Sequence, residues 1–270
     1  MLLINSYGQK PLFPQYPGVV SYTYRDYFSK DPAAALDTVK KNGFTDIEFS
    51  SLFGKTATQL RQMMDERGIK CSSFGVGYDD FVNKIDTVAK NAKTLGAQYV
   101  RVAGLPHTGK FNFDDAQRTV EVFNRIGKLL KEKYGLTFVY HNHGFEFQPY
   151  GDGTLYDYIV QNTNPKYVSF ELDILWAYFP GQDPAKLLDK YGSRYKLMHL
   201  KDLKKGVQGN DSGGTPQDND VALGDGQMDI PAIIKAAEKA GIKHYYIEDE
   251  SNNTATQVSK SIAYLKNLKQ

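Results

Sequence analysis

The amino-acid sequence predicts a closed (β/α)₈ barrel in a single domain spanning residues 1–270. Three observations predict this fold class. Short apolar runs alternate with segments of helical periodicity, the alternation occurs eight times, and no break in composition marks a linker between domains. A doubly wound open sheet is the alternative, but the sequence lacks the glycine-rich GxGxxG turn that usually follows the first strand of such a sheet.

The first four strand–helix pairs lie in the N-terminal half of the chain. The first strand, GVVSYTY (18–24), precedes a helix at 31–43 that opens with Asp-Pro and closes at a glycine, as helix ends commonly do. Strands two to four are predicted at FTDIEFS (44–50), IKCSSFGVG (69–77) and QYVRVAG (98–104). The helices that follow them are predicted at 56–68, 83–96 and 113–135.

The C-terminal half repeats the same pattern four more times. Strands five to eight are predicted at LTFVYHNH (136–143), YVSFELD (167–173), YKLMHLKD (195–202) and HYYIEDE (244–250). Their helices are predicted at 153–163, 183–192, 229–241 and 253–267. Residues 203–228, after strand seven, are polar and rich in Gly and Asp, which predicts a mobile loop of the kind that often covers a site.

Composition excludes several classes of function. The 33 Lys and Arg residues nearly balance 31 Asp and Glu, so the chain lacks the basic excess expected for binding nucleic acid or an anionic membrane. Cys71 is the only cysteine, which excludes an internal disulfide and a cysteine-based zinc site. The start of the chain lacks a signal-peptide pattern, so the cytoplasm is the default location, although a leader already removed would leave no trace.

Polar residues collect at the C-terminal ends of the predicted strands, where a closed barrel carries its active site. Asp173, His199 and Glu248 each follow an apolar run, and strand alternation allows all three to point to the barrel axis. Two carboxylates and an imidazole around one point suit a divalent cation such as Mn²⁺, Mg²⁺, Co²⁺ or Zn²⁺. The alternative for Asp173 is a helix cap or a salt bridge, and for His199 it is a buried histidine bonded to a backbone carbonyl. For Glu248 it is a solvated acidic run, as Asp249 and Glu250 are expected to be.

Several motifs resemble the xylose isomerase-like TIM-barrel superfamily and, within it, the sugar phosphate isomerase/epimerase group. They are HNHGFEF (141–147), ELD (171–173), MHLKD (198–202), ALGDGQMDIPAIIKAAEKAG (222–241) and YYIEDE (245–250). The resemblance covers nearly the whole chain. It implies one divalent metal held by Glu, Asp, His and Glu from strands five to eight, with Asp173, His199 and Glu248 in three of these places. It also implies a small sugar or sugar derivative as substrate, and it leaves a homo-oligomer open.

The fourth metal ligand is where this sequence departs from the family pattern. The family glutamate lies within strand five, near Tyr140 or His141, and neither is a carboxylate. His141 has the right position, whereas Glu146 has the right chemistry but lies past the end of the strand. We predict Glu146 as the ligand, with His143 near the substrate as a proton carrier or hydrogen-bond donor. A structural role for one of the two histidines is the alternative.

The resemblance implies an isomerase or epimerase that abstracts a proton next to a sugar carbonyl and passes through an enediolate. Glu146 and Glu248 are the first candidates for the base, with His143, Lys201 and Glu48 as further catalytic candidates. The residues predicted to contact the substrate are Glu48, His141, Trp176 and Arg101. For Arg101, bracing the barrel is the favoured role, and for Lys201 an ion pair with Asp202 or Glu171 is an equal alternative.

Other functions compete with isomerisation. Elimination by a metal-dependent lyase is the main alternative, either a dehydratase of the inosose type or an enzyme acting on 3-keto-glycosides. The HNH sequence at 141–143 supports it, because related HPH sequences occur among inosose dehydratases. A nuclease resembling endonuclease IV would need more than the five histidines present and a basic face. A non-catalytic sugar-binding barrel is disfavoured by the carboxylates predicted to point inward.

Overall fold

Eight parallel strands close into a barrel in the computed structural model of the protein, which describes residues 10–269. They are β1 (Gly18–Val20), β2 (Asp46–Phe49), β3 (Lys70–Val76), β4 (Tyr99–Val102), β5 (Thr137–His141), β6 (Val168–Asp173), β7 (Tyr195–Leu200) and β8 (His244–Ile247). Neighbours in the chain are neighbours in the barrel, and β8 closes it against β1. The predicted (β/α)₈ fold is therefore confirmed. Residues 1–9 and 270 lie outside the described residues. They belong to the predicted domain, and residues 1–9 are also part of the segment searched for a signal peptide.

Helices follow the strands along the chain. They are α1 (Arg25–Lys30), α2 (Pro32–Lys41), α3 (Ala57–Asp65), α4 (Tyr78–Asn83), α5 (Ile85–Leu95), α6 (Phe113–Leu129), α7 (Leu155–Asn162), α8 (Ile174–Tyr178), α9 (Pro184–Tyr191), α10 (Ile230–Ala240) and α11 (Thr254–Asn267). Asp31 caps α2 by accepting hydrogen bonds from the N–H groups of Ala33 and Ala34. The short helices α1, α4 and α8 were not predicted, because five or six residues are too few to show an amphipathic period.

Side chains of the strands form two packed layers. A small cluster inside the barrel contains Val20, Tyr99, Val139, Leu197 and Tyr246, and a much larger apolar layer lies between the strands and the helices. Successive side chains on a strand alternate between the two layers. Residues two positions beyond the interior cluster therefore also face the barrel axis, at its C-terminal mouth. This alternation determines which polar side chains form the site.

The loop after β7 contains ordered elements of its own. Asp202–Leu203 pairs antiparallel with Asp220–Val221, so that residues 204–219 project from a two-stranded base. The buried Asp202 carboxylate accepts hydrogen bonds from the N–H groups of Gly224, Gly226 and Met228. The last residue of the HLKD motif, Asp202, thus binds the backbone of the LGDG motif. Within residues 10–269, every helix is too short or too polar to cross a membrane.

Candidate active site

Four buried side chains from consecutive strands converge at the C-terminal mouth of the barrel. They are His141 on β5, Asp173 on β6, His199 on β7 and Glu248 immediately after β8. One nitrogen or carboxylate oxygen from each lies within 4.8 Å of the others. Asp173 Oδ2 is buried without a hydrogen-bond partner among residues 10–269, which is costly unless another group satisfies it. Two imidazoles and two carboxylates therefore fit a divalent cation.

The charges in this cluster are closely coupled. His199 Nδ1 lies 3.0 Å from Glu248 Oε2 and 3.8 Å from Asp173 Oδ2. Burial disfavours the charged imidazole, but the neighbouring carboxylates of Glu171 and Glu248 outweigh it and raise the pKa of His199 well above its usual value. Burial likewise opposes the ionised form of Glu248, but Lys201 and His199 hold its pKa well below its usual range. A positive charge at the centre of this cluster is thus electrostatically favoured.

Asp173 is positioned by its neighbours in the chain and on β5. Its Oδ1 atom accepts a hydrogen bond of 2.9 Å from the Trp176 N–H and so caps α8. The side chain of Asn142 donates to the Asp173 carbonyl and accepts from the Asp173 N–H, both at 3.0 Å. Oδ2 alone remains directed to the cluster. Such supporting contacts orient metal ligands in proteins.

A second layer of charge lies beneath the cluster. Arg101 Nε is 2.7 Å from Glu48 Oε1 and 3.5 Å from Glu171 Oε2, and His199 Nε2 is 3.0 Å from Glu48 Oε1. Burial and the adjacent Glu48 carboxylate raise the pKa of Glu171 to about 7. The guanidinium of Arg101 leaves no room for a side chain at Gly75, where a Cβ would lie 2.5 Å from Nη2. Arg101 therefore braces the mouth of the barrel, and it also reaches the cavity described below.

Glu146 lies apart from this cluster. Its Oε1 atom accepts hydrogen bonds from the Tyr140 hydroxyl at 2.8 Å and from the His143 N–H at 2.9 Å. Tyr140 faces the outer layer, where it packs 5.1 Å from Phe123, because it alternates with the inward-facing His141. The carboxylate predicted as the fourth ligand thus folds back outside the strand, and the imidazole of His141 occupies the inward position.

Lys201 sits within a ring of carboxylates. Its Nζ atom is 3.2 Å from Glu248 Oε2 and also pairs with Glu250, not with the predicted partners Asp202 or Glu171. Burial opposes the charge on Lys201, but these carboxylates outweigh it and raise its pKa well above its usual value. The expected solvated acidic run is wrong, because Asp249 is 4% exposed and Glu250 is held by Lys201. The sequence could not reveal this arrangement, because the contacts of Asp249 with Thr23 and of Glu250 with Lys201 join distant parts of the chain.

A cavity of about 710 Å³ opens above the cluster. His141, His143, Glu248 and Arg101 line one end, and residues from the loops after β1 to β4 line the other. His143 is stacked on Trp176, with ring centroids 5.9 Å apart, and its buried Nδ1 has no hydrogen-bond partner within the described part of the chain. Burial lowers the pKa of His143. Of the residues predicted to contact substrate, His141 and Arg101 line the cavity, whereas Trp176 lies behind His143 and Glu48 lies beneath the cluster.

One site residue, Glu171, was not among the predicted site residues. It is fully buried, lies 3.3 Å from both His141 Nδ1 and His199 Nε2, and forms part of a second cluster with Glu48 and His199. The signal that could have identified it is its position two residues before Asp173 on β6. Two residues on one strand separated by one other residue face the same side.

The fold and the cluster define a class of protein: closed (β/α)₈ barrels with a candidate divalent-metal centre at the C-terminal mouth. Within this class, the chain belongs to the xylose isomerase-like TIM barrel family, whose sequence model matches residues 36–268. The resemblance predicted from the motifs is therefore confirmed.

Three known proteins illustrate this relationship. An inosose dehydratase from Klebsiella pneumoniae is 27% identical over 241 residues, which cover 79% of this chain and 80% of that protein. A sugar phosphate isomerase/epimerase from Parabacteroides distasonis is 27% identical, with a TM-score of 0.74 and 93% of each chain covered. The IolI protein, whose crystal structure contains a bound zinc atom, has the same fold at 16% identity, with a TM-score of 0.73 and coverage of 93% of this chain and 95% of its own.

Proposed function

We propose that this protein is a divalent-metal-dependent enzyme that removes a proton next to the carbonyl of a sugar or cyclitol derivative and then eliminates a neighbouring oxygen substituent. The observation that carries this proposal is the buried cluster of His141, Asp173, His199 and Glu248, which opens directly into a cavity of about 710 Å³. A mixed nitrogen and oxygen ligand set beside a cavity of this size suits metal-assisted chemistry on a small polar substrate.

The four cluster residues would hold the metal, with His141 in the place predicted for Glu146. When bound, the metal would supply positive charge to stabilise the negative charge that develops on the substrate oxygen. Asn142 and the N-terminus of α8 hold Asp173 in position for this role. Lys201 balances the charge of Glu248 and keeps that carboxylate ionised.

His143 is the side chain best placed to move the proton. It lines the cavity beside His141, and its ring is stacked on Trp176. In the proposed step, the C–H bond next to the carbonyl breaks and its proton passes to His143. A carbon–carbon double bond then forms, the neighbouring C–O bond breaks, and the same imidazolium returns the proton to the departing oxygen. The products are water and a dehydrated sugar, with no net change in protons.

Elimination is favoured over epimerisation by the position of Glu146. Epimerisation removes a proton from one face of a carbon and returns one to the other face, which requires two groups on opposite sides. Glu146, a predicted base, is bonded to Tyr140 instead, Glu250 is paired with Lys201, and Glu248 is one of the four residues that would hold the metal. A single imidazole can complete an elimination on one face. The 27% identity to an inosose dehydratase over 79% of the chain supports the same reaction class.

Isomerisation or epimerisation is the second candidate. It is supported by the Parabacteroides distasonis sugar phosphate isomerase/epimerase, which shares 27% identity and covers 93% of this chain. In that reaction Glu248, which lines the cavity, would be the base. The two candidates share proton abstraction and differ in whether a C–O bond breaks afterwards.

Reaction products in deuterated water distinguish the candidates. The protein, loaded with Mn²⁺, Mg²⁺, Co²⁺ or Zn²⁺, would be incubated with an inosose and a panel of ketoses, and the products analysed by mass spectrometry. Elimination predicts a product lighter than its substrate by one water molecule. Isomerisation predicts a product with the same heavy atoms as its substrate but with deuterium incorporated. A protein that binds none of these metals, or whose activity is indifferent to a chelator, would refute both candidates.

A substitution of His143 tests the proposed proton carrier. In His143→Asn we expect kcat to fall by about 10²–10⁴-fold, the usual contribution of general acid–base catalysis, while metal content is retained. His244→Asn is the matched control, because His244 lies at the start of β8, at the opposite end of the barrel. Equal activity of the His143 variant and the control would show that another group moves the proton.

A further inference from the structure

A strained turn lies at the wall of the substrate cavity. Among residues 10–269, Phe53 is the only residue other than glycine with a positive φ, at 48°. Gly54 follows with φ 71°, and the Lys55 N–H donates to the Leu52 carbonyl at 2.9 Å. Two consecutive positive φ values give the backbone pattern of a type I′ turn, in which Asn, Asp or Gly usually occupies the first position. A bulky aromatic residue there is an outlier.

The ring of Phe53 has two different environments. One side packs on the buried Phe28, with ring centroids 4.8 Å apart and planes at 22°. Phe53 is nevertheless only partly buried, and it lines the cavity that contains His141 and Glu248. Residues held in unfavourable backbone conformations cluster at ligand-binding sites, where the rest of the structure supports them. The stack on Phe28 thus fixes an aromatic wall in place.

The part of the cavity around Phe53 is built from other elements of the barrel than the metal cluster. The cluster comes from β5 to β8, whereas this wall comes from the loops after β1 and β2. Tyr22, 40% exposed, also lines the cavity, together with Ser50 and Ser51. Aromatic faces beside hydroxyl groups suit a sugar ring, which has an apolar face and a polar edge.

We infer that this wall binds a second sugar ring, so that the substrate is a keto sugar carrying a glycosyl group rather than a free monosaccharide. The inference rests on the proposed function, because the first ring must place its carbonyl at the cluster of His141, Asp173, His199 and Glu248. The cavity volume of about 710 Å³ lies within the range of sites that enclose ligands larger than one hexose.

Binding of ketose disaccharides tests this inference. Trp176 is the only tryptophan and is stacked on His143 at the cluster end of the cavity, so its fluorescence can report ligand binding. The Zn²⁺-loaded protein would be titrated with fructose and with lactulose, maltulose and isomaltulose, in which fructose carries a second ring. We expect at least one disaccharide to bind about tenfold more tightly than fructose, a difference of about 1.4 kcal/mol.

Phe53→Asn is the decisive variant. Asn accepts positive φ, so we expect the variant to fold with a Tm no lower than wild type, but the ratio of disaccharide to fructose affinity should fall close to one. Tyr22→Ala, on the same wall, should lower the ratio as well. Tyr27→Asn is the control, because Tyr27 is 50% exposed and does not line the cavity.

The two levels of the proposal fail in different ways. The second-ring site would be overturned if disaccharides bound no more tightly than fructose, or if Phe53→Asn kept the wild-type ratio of disaccharide to fructose affinity. Either result would count against it even if the enzyme eliminates water from a smaller substrate. If the protein showed no metal-dependent reaction but still bound disaccharides more tightly than fructose, the proposed reaction would be refuted and the second-ring site would be supported.

Discussion

Asp202 connects the loop after β7 to the mouth of the barrel, and Asp202→Ala should destabilise the protein strongly. The carboxylate is fully buried and accepts hydrogen bonds from four backbone N–H groups. These belong to Leu203 at 2.9 Å, Gly224 at 2.9 Å, Gly226 at 3.1 Å and Met228 at 3.2 Å. One side chain therefore satisfies three of the backbone N–H groups of the 224–228 turn.

The expected magnitude follows from the donors that the substitution leaves without a partner. A buried donor without an acceptor costs about 1–3 kcal/mol, and alanine removes the acceptor of three N–H groups in the 224–228 turn. Water can reach part of this turn, because Gly224 and Gly226 are not fully buried. We therefore expect a loss of about 3 kcal/mol, which corresponds to a fall in Tm of about 6–12 °C for a chain of this size.

Urea unfolding followed by circular dichroism measures this loss. Asp225→Ala is the matched control, because Asp225 is in the same turn but its carboxylate is 58% exposed and pairs with the exposed Lys260; we expect a change below about 0.5 kcal/mol. Gly226→Ala should destabilise as Asp202→Ala does, since its Cβ would lie 2.1 Å from Asp202 Oδ1. If Asp202→Ala proved as stable as the control, water would be satisfying the turn, and the reasoning from buried donors would be refuted.

Three further predictions concern the metal cluster and one partly buried ion pair. His199→Ala should abolish metal binding, measured by elemental analysis, while circular dichroism shows a folded barrel; retained affinity would mean that the site is misplaced. Asn142→Ala should weaken metal binding by about 10–100-fold, because it frees the backbone of Asp173; unchanged affinity in calorimetry would exclude this role. Burial raises the pKa of Asp157, but hydrogen bonds from Lys190 and other neighbours outweigh it and lower the pKa. Asp157→Asn should therefore cost about 1 kcal/mol at neutral pH, and the difference from wild type should shrink as pH falls below the unfolded pKa of about 3.9, through the lower folded value; a pH-independent difference would contradict the assignment.

The barrel could be predicted from local patterns. Alternation of apolar runs with helical periods is visible along the chain, and Asp31 and Asp183 identify helix starts because a cap acts within three residues. The inward direction of His199 was predictable for a similar reason, since strand alternation has a period of two. Helix ends were less predictable: α6 gives way at Leu129 to a π-helical turn, Leu130–Tyr134, that the periodicity did not distinguish.

The sequence by itself determined the strands, most of the helices and the end of the barrel at which the polar residues collect, because these depend on neighbours a few positions apart. Only the tertiary structure decided that His141 rather than Glu146 faces the cluster, and that Lys201 pairs with Glu250. Those outcomes depend on which groups meet when the barrel closes, because a buried carboxylate needs a hydrogen-bond donor close to it. For Glu146 that donor is the Tyr140 hydroxyl in the outer layer.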